Sequence, residues 1–436
     1  MKMARGFRLI GGGIVVAGLL AGCGWFDDEE ILEGERIRIR DRVVDARAFT
    51  GPVPALPQAV RNTEWTQTNA TSTHAAGHLA GPAALSLAWT VDAGAGDEDG
   101  ITSAPVIANG RVFTLDAAAQ VSAFDASSGT LAWRSDLAPE GEDGDDGFGG
   151  GLAILGETVL ATTGFGEIVA LSAASGDVLW RYRAGAPFRA APAAAGGVVI
   201  AVTRDNRAVA VDATTGQVGW RLDGITSDAG LLGGASPAIS GRLAVLPFAS
   251  GEIIGVDATS GRSIWNAVLG GARRGLARAS ISDVTGDPVI VGRAVIAANQ
   301  SGRIVAIDGQ TGRRGWTRSV GSTGPLWTDG TSIYLTADDA ALMRLSAQTG
   351  QTIWRNELAA FEDPEDREDP IAYSGPVLVG GRLLVTDSLG NLISFDPASG
   401  AEVARVSIGS GTTAGVAVAN ATVYVLSDSG NLLAFR

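Results

Sequence analysis

From about residue 104 to Arg436 the chain alternates short runs in which every second position is apolar with clusters of Gly, Asn, Asp, Ser and Thr. Alternation with period two is the mark of half-buried strands, and the polar clusters supply their turns. Outside the first 22 residues no stretch of twelve keeps a 3.6-residue apolar period, so little helix is expected. One strand-turn-strand phrase recurs: "SAFDASSGTLAW" to Trp133, "VALSAASGDVLW" to Trp180, "VAVDATTGQVGW" to Trp220 and "IGVDATSGRSIW" to Trp265. Further copies run "VAIDGQTGRRGW" to Trp316, "MRLSAQTGQTIW" to Trp354 and "ISFDPASGAEVA", where Ala404 replaces the Trp. In each, an Asp or Ser can bind nearby N–H groups through its side chain, and the Gly can take the positive φ at which the ladder restarts.

The interval between copies, about 40 to 50 residues, suits one propeller blade. A second strand pair precedes each copy, beginning near Ala104, Leu152, Ala191, Ser236, Pro288, Gly324, Gly375 and Ala414. This predicts an all-β, eight-bladed propeller of four-stranded antiparallel blades. The eighth copy stops a strand short at Arg436, while "LSLAWT" around Trp89 is a fourth strand without a blade; pairing the two closes the ring and removes an open edge. Trp89, Trp133, Trp180, Trp220, Trp265, Trp316 and Trp354 are then expected to pack between neighbouring blades, since regular placement at one strand position is a packing signature.

Residues 1–22 read as an export leader: Lys2, Arg5 and Arg8 precede the apolar "LIGGGIVVAGLLA". Cys23, the only cysteine, closes a lipobox-like "LLAGC" and is the expected lipidation site, with an outer-membrane anchor favoured because Gly24 rather than Asp follows it. Residues 23–60, charged and then Pro-rich, are expected as a flexible tether reaching on the order of 100 Å, and 61–436 as the propeller. The formal charge of −14 becomes more negative once the three leader cations are gone, which argues against nucleic acid as a partner.

The copies resemble the quinoprotein-like repeat over residues 85–436, and a lipobox followed by eight such repeats resembles the BamB family of outer-membrane β-barrel assembly lipoproteins. A local match lies in "RRGLARASISDVTGDPVIV", which puts Arg278 and Asp283 on the loop entering blade five. The resemblance implies that this loop and the one before blade four dock on periplasmic domains of the barrel-inserting subunit, with Leu231 as apolar anchor. Leu232 stands where a basic residue would be expected beside it. It further implies a monomer within a hetero-oligomeric complex, anchored at the periplasmic face of the outer membrane. Apart from the resemblance, unfolded barrel precursors are a second candidate partner through β-augmentation, a mode open to any sheet-rich surface. Quinoprotein dehydrogenases need calcium, a catalytic Asp and usually a disulfide of adjacent cysteines; with one Cys, this chain is expected to be no enzyme and to carry no cofactor. The alternatives are a quinoprotein-type oxidoreductase, a small-ligand propeller and a sugar-binding module.

Remaining constellations carry little chemistry. His74 and His78 have helical zinc spacing, but no third ligand is near and Gly77 weakens a helix, so no metal is expected and a packing role near ring closure is favoured. Acidic loops near Asp97, from Pro139 and from Phe361 lack the spacing of a calcium loop and read as a solvated rim.

Overall fold

The computed structural model describes residues 49–97, 100–227, 230, 233–270, 281–322 and 324–436. Eight four-stranded antiparallel sheets form a ring. Blade one runs Val106–Ala108, Arg111–Leu115, Gln120–Asp125 and Leu131–Asp136 from axis to rim. The inner strands of blades two to seven are Gly150–Leu155, Ala193–Ala195, Ala238–Ser240, Val284–Val291, Trp327–Thr328 and Tyr373–Val379. Blade eight takes Val416–Ala419, Thr422–Leu426 and Asn431–Phe435, and its outer strand is Leu87–Asp92, with Thr90 opposite Leu433. The sequence expectation of eight blades closed by the Trp89 strand therefore holds.

The three inner strands of each blade are apolar on both faces because each sheet is sandwiched between two others; Val159, Leu160 and Ala161 of blade two are all buried. Outer strands alternate, since one face meets the next blade and the other meets water. In every outer strand the register slips just before the Trp position, as where Ala123 faces Trp133 but Phe124 faces Leu131. The extra residue is Ala88, Ala132, Leu179, Gly219, Ile264, Gly315, Ile353 or Val403. Such a bulge tightens the twist and re-aims the side chains beyond it, turning the Trp toward the next blade while leaving Leu131, Leu179 and Val403 exposed.

Two local features differ from the sequence expectations. The acidic run from Phe361 is a β-hairpin, Phe361–Asp363 with Glu368–Pro370, because the Asp363 carboxylate caps the N–H groups of Glu365 and Asp366. Residues 49–60, expected in the tether, bind the ring: the N–H of Phe49 donates to Thr352, and the buried Arg344 guanidinium donates to the Pro54 carbonyl at 2.7 Å. Among the described residues there is no α-helix; the only helical turn is the 3-10 segment Gly144–Asp146.

Candidate functional site

The repeated phrase is a joint between blades. In "FDASSG" the Asp125 carboxylate accepts the Ser127 and Ser128 N–H groups and hydroxyls, and the two hydroxyls in particular hold its pKa down at about 2. Asp257 is drawn down to about 2 chiefly by Ser260. The turn shaped in this way receives the Trp of the preceding blade. A Cβ on Gly176, Gly216, Gly261, Gly312, Gly350 or Gly400 would lie 2.5–2.7 Å from Trp133, Trp180, Trp220, Trp265, Trp316 or Trp354 respectively. Each of those indole N–H groups donates to the carbonyl following the Asp or Ser: Ala173, Ala213, Ala258, Gly309, Ala347 and Pro397. Trp89 packs on Gly129 in the same way, but the carbonyl it would use, that of Ala126, accepts the Tyr424 hydroxyl and the Arg436 guanidinium instead.

The axis is occupied by the chain itself. Residues 62–79 pass once around it and bond the next-to-last residue of every inner strand, except in blade six, where the bond comes from the Trp327 side chain. Asn62 donates to Val418 in blade eight, Trp65 exchanges both backbone bonds with Ile107 in blade one, and Thr66 accepts from Ile154 in blade two. The Gln67 amide brackets Ala194 in blade three, and Ser72 and Thr73 accept from Ile239 and Ile290 in blades four and five. Trp327 of blade six donates to Gly77, and Leu79 donates to Leu378 of blade seven. Trp65 and Trp327 stack at 5.8 Å. Inner strands expose one free edge to the axis, and this segment supplies partners for those edges.

Both histidines belong to this arrangement. His74 is buried with Nδ1 2.9 Å from the Pro288 carbonyl, and burial pushes its pKa down to about 4. His78 places Nδ1 2.7 Å from the Pro57 carbonyl and Nε2 2.9 Å from the Gly381 N–H. Beside His74, burial lifts the Asp287 carboxyl to about 7 although it accepts the Ser236 N–H and the Asn69 amide.

Around the mouth of the ring lie the loops that enter the blades. Asp283 is fully buried and takes the Arg189 guanidinium on Oδ1 at 2.5 Å, so its carboxylate is not offered to solvent as a contact would be. Leu231, Leu232 and Arg278 lie outside the described residues, as does Cys23. The start of the blade-four loop is firmly held: Ile225 donates to Glu252 Oε2 and accepts from the Asn206 amide, which leaves its side chain 58% exposed. Sequence reasoning missed Ile225, Arg189 and the axial role of 62–79. The last had a readable signal in "WTQTNATSTH", a run of short polar side chains that can bond strand edges but does not alternate as a strand. Between blades eight and one lies an open polar depression of about 460 Å³, lined by Asp92, Asp116, Arg134 and Asp136 with Asp143 of an acidic loop. Among the described residues no three His, Cys, Asp or Glu side chains converge as metal ligands.

Residues 65–143 and 117–356 match the family model described as outer membrane protein assembly factor BamB. The chain belongs to that family. The BamB protein of Shewanella oneidensis is 26% identical over 354 residues, covering 79% of this chain and 87% of that one. The crystal structure of BamB from Moraxella catarrhalis superposes with a TM-score of 0.68 at 21% identity, over 81% of this chain and all of that one. Quinohemoprotein alcohol dehydrogenase from Comamonas testosteroni superposes at 0.66 with 14% identity, over 86% of this chain and 81% of that one, a likeness of fold alone. As in its BamB relatives, the repeats are quinoprotein-like and the fold is a β-propeller.

Proposed function

We propose that the chain is a non-enzymatic scaffold lipoprotein of the outer-membrane barrel-assembly machinery, acylated at Cys23 and held at the periplasmic face of the outer membrane. Its docking surface is the pair of loops entering blades four and five, with Leu231, Leu232 and Arg278 as contact residues for the periplasmic domains of the barrel-inserting subunit. Membership of the BamB family over residues 65–356 carries the reading. It is supported by Ile225 at the start of the blade-four loop, an exposed apolar residue whose backbone N–H and carbonyl are both bonded. Asp283 keeps its place in this surface, but behind it.

A small-ligand propeller is disfavoured because residues 62–79 fill one end of the axis and use the inner-strand edges there. Affinity purification of the acylated chain from detergent-solubilised envelopes, with identification of what accompanies it, tests the reading. Recovery of the barrel-inserting subunit is the expected result; its absence while Cys23 is acylated would overturn the docking assignment.

A further inference from the structure

On the reading that the blade-four and blade-five loops dock on a partner, we propose that the Arg189–Asp283 ion pair is the positioning element of that surface. Asp283 then acts by shaping the loops through Arg189, not by touching the partner. Arg189 enters blade three and Asp283 enters blade five, so the pair bridges two loops whose sheets are not neighbours. The intervening blade-four loop crosses this bridge. A Cβ on Gly234 would fall 2.0 Å from Arg189 Nε, so only glycine lets the backbone lie there; a Cβ on Gly230 would sit 3.4 Å from Asp283 Oδ2. Two residues beyond Gly234, the Ser236 N–H is fixed by Asp287 Oδ1 at 2.7 Å.

A buried ion pair gains little net stability over apolar residues of the same volume. What it adds is direction, because a guanidinium binds a carboxylate in a narrow set of geometries. Here that direction registers three entry loops from three separate sheets. Losing one partner weakens the compensation of the other's charge in the interior, a cost that shifts of the entry loops would relieve.

The test is capture of the barrel-inserting subunit by the full-length acylated chain, with thermal unfolding measured in parallel. Arg189→Gln, at a residue 3% exposed, and Asp283→Asn should each reduce capture at least tenfold, and Arg189→Lys should recover part of it. Glu167→Gln is the control: Glu167 is equally buried and paired with Arg181 and Arg183 in blade two, and its loss should lower the unfolding temperature while leaving capture intact. Should Arg189→Gln fail to fold, Gly234→Ala displaces the guanidinium without changing any charge and should give the same loss. Capture unchanged in Arg189→Gln but lost in Asp283→Asn would overturn the proposal, because Asp283 would then act alone. Equal losses in Glu167→Gln would overturn it by making the effect one of general stability. If the parent chain itself captures no such subunit, the docking reading fails first; if it does and every variant matches it, only the ion-pair proposal falls.

Discussion

At the scale of single residues, the glycines of the repeated turn combine two demands. Gly312 has φ +70°, and its missing Cβ makes room for Trp265. Gly156 has φ +62° and open space around it. Gly312→Ala should therefore cost clearly more than Gly156→Ala, which bears only the backbone term of about 1 kcal/mol; urea unfolding of the two variants checks the order. Two buried titratable groups on the axial segment's contact with blade five oppose one another. His74, held near 4, contributes stability that is full above about pH 6.5 and lost as the pH falls toward 4. Asp287, lifted to about 7, contributes stability that is full below about pH 4 and lost as the pH rises through 7. Asp287→Asn should thus gain on the parent by about 2 kcal/mol between pH 5 and 7, read by urea titrations at both values. The turn aspartates were legible from the phrase itself. Asp287 was not, since nothing in "SDVTGDP" says that the fold buries both of its carboxylates.

At the scale of the element, the outer strand, its bulge and the turn after it form one device. Trp220→Ala should cost about 3–5 kcal/mol, read by urea unfolding, because a buried ring and the bond to Ala258 go together. The structure also explains the copy that lacks Trp. Outer strand Glu402–Ser407 faces blade eight, whose third and fourth strands, Asn431–Phe435 and Leu87–Asp92, come from distant parts of the sequence and are joined by no turn. Without an Asp-to-Gly turn there is nothing to receive an indole, and Ala404 fits. Ala404→Trp should accordingly give no gain in unfolding temperature. Across the next joint, Tyr424 and Arg436 take over the Ala126 carbonyl, and among the described residues the Trp89 indole N–H has no acceptor.

At the scale of the whole molecule, the ring is closed twice: at the rim by the Leu87–Asp92 strand and at the axis by residues 62–79. Trp65→Ala should lower the unfolding temperature by several degrees although Trp65 belongs to no blade, because it removes the stack on Trp327 and a fully buried ring. Docking belongs to this scale too. Ile225→Asp should weaken capture of the barrel-inserting subunit without changing the unfolding temperature, since the side chain is exposed and its clamps are backbone bonds. Blade number, strand order and the family were all determined by the sequence alone, because they rest on local periodicity and turn chemistry that repeat from copy to copy. The route of residues 62–79, the burial of Asp283 and the reason for Ala404 were decided only by the tertiary structure. Each depends on what a long, unrepeated separation in sequence brings together: the free strand edges around one axis, two loops two blades apart, and a blade built from both ends of the propeller.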